Sequence, residues 1–131
     1  MPASIKYLLH ASLILFCITL FACTNEYEQR AIGIYETYKY ELLDSASNLY
    51  LPTLVLKRDK TFTLISKNTK ISGKWNANDY GDWTVVDFYY DNHRHVQGQL
   101  LGKNFEIMQI INPLDFNIDA RSLSFKRIEK Q

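Results

Sequence analysis

The chain has little cysteine, glycine or proline and almost no net charge, and each shortage excludes something. Its two cysteines are Cys17 and Cys23. Cys17 lies in an apolar leader and departs with it, so Cys23 is left alone and no intramolecular disulfide can form. Five Gly and three Pro in 131 residues exclude collagen-like and low-complexity chains. Fifteen Lys and Arg face fourteen Asp and Glu. Lys6 is in the leader, so the remainder is balanced, and no basic stripe invites nucleic acid or anionic lipid. Gly-x-Ser-x-Gly, His-Glu-x-x-His and phosphate-cradling glycine loops are missing. Only His93 and His95 follow the leader. These absences argue against an enzyme and against a cofactor.

What is present begins with Lys6 and an uncharged run from Tyr7 to Ala22. A spanning helix needs about 20 apolar residues, and this run is shorter and diluted by His10 and Ser12. Leu20-Phe21-Ala22-Cys23 resembles the bacterial lipobox, with Phe21 bulkier than the usual residue at its place. The resemblance implies cleavage before Cys23 and fatty chains on its sulfur, holding the protein to a membrane. Thr24 is not Asp, so retention at an inner membrane is not signalled and the outer membrane of a bacterial envelope is expected. The expected organisation is a signal peptide over 1–22, the lipidated cysteine and a tether over 23–32, and one domain over 33–131. Within the tether, Asn25 is an N-cap and Glu28 stands where a capping-box acid belongs, which predicts a short helix.

Beyond Gly33 the apolar residues recur with period two, and nine Tyr, seven Phe and two Trp suit pleated surfaces. Ile34, Tyr38, Tyr40 and Leu42 define one face of the first strand, with Glu36 among them. Further strands are expected at Leu54–Lys57, Thr61–Ile65, Ile71–Trp75, Trp83–Tyr90, His93–Leu101, Phe105–Ile111 and Leu123–Arg127. Turns are expected at Asp59-Lys60, Asp91-Asn92 and Gly102-Lys103-Asn104, and loops at 44–48 and 76–82. The pattern predicts an all-β fold, an antiparallel meander of about eight strands that removes its edges by closing into a small barrel.

Gly33-Ile34-Tyr35, Leu54-Val55-Leu56 with Asp59-Lys60-Thr61-Phe62, Gly73-Lys74-Trp75 and Leu123-Ser124-Phe125-Lys126 resemble small bacterial lipocalin-like lipoproteins. Tyr35 stands where those proteins often carry Trp. The resemblance implies a lipocalin-like barrel and supports the fold more than any ligand.

Three groups of side chains are candidates for function. His93 and His95 fall on one side of a strand and are candidate zinc ligands, with Asp91 as a third; the competing reading is a hairpin turn followed by exposed polar residues. Asn76 to Asp82 partly mimics a calcium loop, but the strand-linking reading is simpler. The aromatic side chains either line a small-molecule cavity or fill the barrel, and bulky rings on short strands favour filling. Tyr38, Trp75, Trp83 and Tyr90 are the expected contacts to a ligand or partner. The leading expectation is a membrane-anchored, non-enzymatic binding protein for a small apolar ligand or another protein. The alternative is an inhibitor or immunity protein against a lysozyme or delivered toxin, although such membrane-bound inhibitors usually carry a disulfide.

Overall fold

Alternation of apolar and polar side chains, interrupted by short Asn, Asp and Gly turns, leaves each segment one greasy face that only neighbouring segments can cover. The computed structural model describes residues 25–43, 51–67, 69–81, 83–92 and 94–130, and shows how that is done. A short helix α1 (Glu26–Ala31) precedes eight strands: β1 (Gly33–Leu42), β2 (Thr53–Leu56), β3 (Thr61–Ser66), β4 (Thr69–Asp79), β5 (Thr84–Tyr90), β6 (Arg94–Leu101), β7 (Ile107–Ile110) and β8 (Ala120–Glu129). Each strand pairs antiparallel with the next, and β8 returns to β1, so the sheet closes as an eight-stranded barrel with strands in sequence order. A 3₁₀ turn at Pro113–Phe116 interrupts the β7–β8 connection.

In such a meander alternate connections share an end. The β2–β3, β4–β5 and β6–β7 turns therefore lie at the end where α1 enters. The other connections, including the 3₁₀ turn, lie at the opposite end. Both ends are stoppered: Ala31 and Ile32 from the α1 end, and Phe116 from the 3₁₀ turn, belong to the same buried cluster as the inward side chains of the barrel.

Local chemistry fixes the helix. Asn25 Oδ1 accepts from the Glu28 amide at 2.7 Å, the expected cap. The Glu28 carboxylate does something else: it is buried and pairs with Lys60 Nζ at 3.1 Å, without an aligned hydrogen bond, tying α1 to the β2–β3 turn. In that turn Lys60 has φ 68°, and Asp59 Oδ1 accepts from the Thr61 amide and hydroxyl. Those two donors hold the Asp59 carboxyl below its ordinary value.

Two expectations about strands need correction. In β1 the inward residue is Tyr35, fully buried, while Ile34 and Glu36 point outward. A bulge between Thr37 and Lys39 then shifts the phase, which sets Tyr40 opposite Leu123 and leaves Tyr38 outside. A single alternation read across Ile34 to Leu42 cannot survive that extra residue. The expected loop over Asn76–Asp82 is also mostly strand: β4 runs through Asp79, with Ala77 buried opposite Val86 and Asn76 opposite Asp87. Pairing with β5, and the Asn25 side chain bonded to the Ala77 carbonyl on the other side, outweigh the weak strand preference of Asn.

Tyr35 anchors the helix to the barrel by donating its hydroxyl to the Ala31 carbonyl at 2.6 Å. Burial pushes its phenol up to about 12, against the opposing pull of the Arg127 guanidinium. The folded state thus favours the neutral phenol, whereas the unfolded chain ionises near 10. Stability is fully present below about pH 10 and is lost as pH rises toward 12, by about 2–3 kcal/mol in all. Urea titrations at pH 9 and pH 11.5 are expected to show that slope in the parent protein and a much shallower one in Tyr35→Phe.

Candidate functional site

The aromatic rings inside the barrel pack on one another. Phe62 meets Phe88 edge-on at 5.1 Å, and Phe116 contacts Phe62, Phe88 and Tyr90 at 6.0, 5.5 and 5.4 Å. Phe125 and Trp75 complete the filling. Of the rings expected to share one aromatic face (Tyr38, Tyr40, Phe62, Phe88, Tyr90, Phe105 and Phe125), Phe62, Phe88, Tyr90 and Phe125 face the interior, and Phe105 is only partly buried beside the core in the β6–β7 connection. Tyr38 does not face the interior, and Tyr40 sits half-exposed where β1 runs past β2.

The four expected contact residues separate into two pairs. Trp75 is 2% exposed and donates its indole N–H to the Lys57 carbonyl at 3.0 Å, so it is a core pillar and not an outward contact. Tyr90 is 5% exposed and stacks on Phe116, with its hydroxyl unpaired among the described residues. Both alternate inward because their strands put them in phase with Ala77 and Phe88. Trp83 is 50% exposed in the β4–β5 connection. Tyr38 is 49% exposed on β1, with Lys39 and Lys126 ammonium groups 5.2 and 5.5 Å from its ring. Cys23 and His93 lie outside the described residues.

His95 takes a partner that the turn motif alone does not announce. The Asp91-Asn92 turn, with φ 48° and 62°, folds β6 back on β5 so that His95 stands opposite Tyr89 and Gln97 opposite Asp87. The imidazole lies parallel to the Tyr89 ring, 4.8 Å between centroids and 5° between planes. Its Nε2 is 2.7 Å from Asp87 Oδ1, and Gln97 Nε2 donates to the same oxygen at 3.0 Å. Asp87 is buried although it sits on the outward face of the sheet, because these side chains cover it. The signal for this pairing was present: a short loop after Tyr90 places position 87 diagonally across from 95.

Among the described residues no three His, Cys, Asp or Glu side chains gather into a metal-binding group. No hydroxyl or thiol hydrogen-bonds the His95 ring there either, so the imidazole–carboxylate pair has no nucleophile in contact. Replacing His95 with alanine leaves Asp87 with one donor, and a loss of about 1–2 kcal/mol is expected, read as a lower urea midpoint at unchanged slope.

Beside this cluster the surface is concave. A cleft of about 390 Å³ is lined by Arg94, His95, Leu114, Asp115 and Asn117. A second, of about 250 Å³, lies between β4 and the β5–β6 turn and shares Arg94. Arg94 Nη1 donates to Asn117 Oδ1 at 3.4 Å, joining β6 to the 3₁₀ stopper. Charge of both signs, an aromatic ring and the exposed Leu114 thus meet at the end of the barrel opposite α1. Comparison with family models, with curated proteins and with solved structures finds nothing that matches this chain.

Proposed function

We propose that the chain is a non-enzymatic, lipid-anchored protein of the bacterial envelope, of lipocalin-like design, that acts by binding another protein on its outside. The single observation that carries this reading is the filled interior. Among the described residues, Phe62, Phe88, Phe116 and Tyr90 pack on one another where an open lipocalin-like cup would take a small apolar guest. Binding then falls to the surface, and the end opposite α1 offers Tyr89, Arg94 and Leu114 around the clefts. Tyr and Arg are residue types that dominate interface energetics. Acylation of Cys23, in an outer membrane since Thr24 is not the Asp that signals inner-membrane retention, would keep this end turned away from the bilayer. Tyr38 and Trp83, the exposed members of the four expected contacts, lie elsewhere on the surface.

The test has two arms. Metabolic labelling with palmitate should mark the protein, and Cys23→Ser should abolish the label. Cross-linking in intact cells should capture a partner in one-to-one proportion, and the exposed double variant Tyr89→Ala with Arg94→Glu should lose it. A captured cell-wall hydrolase or delivered toxin would make the protein an inhibitor. Uptake of an apolar dye by the parent protein, with no captured partner, would reject the surface reading.

A further inference from the structure

The end of the barrel that receives α1 carries exposed rings. Tyr80 is 60% and Trp83 is 50% exposed, and they are joined across the β4–β5 connection by the Tyr80 amide donating to the Trp83 carbonyl at 3.1 Å. The start of the described chain is fastened beside them. Asn25 Nδ2 donates to the Ala77 carbonyl at 3.1 Å, and the Tyr27 hydroxyl donates to Asp79 Oδ2 at 3.2 Å, both at the end of strand β4. Only Thr24 separates Asn25 from Cys23, so the two residues lie within a reach of about 7 Å at full extension. Whatever holds Cys23 therefore holds this connection close to it.

Next to Trp83 lies a cleft of about 180 Å³ that it shares with Tyr27, Arg30, Asp79 and Phe105. The Arg30 guanidinium is packed 5.2 Å from the Tyr27 ring and 4.6 Å from the Phe105 ring. Rings and a cation stacked on rings are the side chains that settle at the boundary between acyl chains and headgroups. Exposed charge among the described residues at this end is of both signs, with Lys57, Arg58, Lys103 and Lys130 against Glu26, Asp59, Asp79 and Glu129. Net charge therefore does not recommend an acidic or basic protein as the occupant.

We infer that this end of the barrel seats directly on the bilayer, with Tyr80 and Trp83 inserted at the headgroup level and Arg30 facing phospholipid phosphates. The inference rests on the proposed acylation of Cys23, which supplies the attachment, and adds an orientation. The opposite end, with Arg94 and His95, then faces away from the membrane. Phosphate is common to zwitterionic and anionic headgroups, and the exposed charge at this end is of both signs, so the seating is insensitive to the sign of the lipid charge.

Tryptophan fluorescence tests this with the full acylated protein in phosphatidylcholine vesicles, with or without bromine near the headgroup end of the acyl chains. Trp75 is buried, so the difference between the parent and Trp83→Phe isolates Trp83; the substitution is at an exposed position. Trp83 is expected to lose roughly half of its emission to bromine at the depth where interfacial rings sit. The loss should be the same when phosphatidylglycerol is added. An acylated protein whose Trp83 emission ignores bromine, or is quenched only in anionic vesicles, overturns the seating and leaves the anchor standing. A palmitate-negative Cys23 overturns the anchor and the seating together.

Discussion

Replacing Phe116 with alanine is expected to lower stability by about 4 kcal/mol, among the largest effects available to a single change in this chain. The reason lies in how the barrel is stoppered. Pro113 starts the 3₁₀ turn, Asn117 ends it in the left-handed region with φ 59°, and its amide donates to the Leu114 carbonyl at 2.9 Å. That frame holds one ring, Phe116, against three others contributed by β3 and β5. Truncation removes the ring's transfer energy and its edge contacts, and leaves a void that closed strands cannot collapse to fill. The midpoint of thermal unfolding should fall by roughly 15–30 °C. The variant should also take up an apolar dye that the parent refuses. A loss below about 1 kcal/mol would mean that the ring is not seated in the barrel.

Gly73→Ala is expected to be nearly as damaging, for a different reason. Gly73 pairs with Phe62 on β3 while the next residue, Lys74, pairs with Tyr89 on β5. A methyl group on Gly73 would stand 2.1 Å from the Tyr89 carbonyl oxygen and 2.9 Å from Phe62 Cε1. The nearer obstacle is backbone, so β4 and β5 must part, at a cost of at least about 3 kcal/mol. Tyr89 is also the residue that stacks on His95, so the strain reaches the outer cluster. The His95 ring-proton resonances should shift along with the loss of stability. A variant with parent-like stability and parent-like His95 signals would show that the two strands are not in such close approach.

Much of this architecture can be read from the residues because it rests on local chemistry. Asn25 caps its helix, Asp59-Lys60 and Asp91-Asn92 turn where short polar pairs favour turning, and Val86, Phe88 and Tyr90 alternate inward. The count of strands and their closure follow from such turns and from the need to bury edges. What the alternation could not reveal is where it slips. Tyr35 points inward from the start of β1, the bulge after Thr37 leaves Tyr38 outward and resets the phase, and nothing within the Gly33–Leu42 segment marks the extra residue. Asn76 and Asn78 look like loop residues because their polar side chains are visible and their β5 partners are not.

The side chains around the barrel ends were the least legible. Pro113 reads as a strand breaker, which is correct, but the segment after it returns to insert Phe116 into the core, a contact made across more than fifty residues with Phe62. Glu28 reads as a capping acid, and instead meets Lys60 across the end of the barrel. His95 stands out as a possible ligand, yet its Asp87 partner becomes apparent only once the β5–β6 register is known. Trp75 and Tyr90 are large and aromatic whether they bind a partner or hold up a core; only burial distinguishes the two roles.

The most direct test of the account is native mass spectrometry of the protein released gently from its membrane. The account predicts a chain beginning at Cys23, heavier by a covalent diacylglycerol and by any amide-linked acyl chain, with no further apolar molecule held in the barrel. An unmodified residue 23, or a lipid carried noncovalently through the measurement, would contradict it.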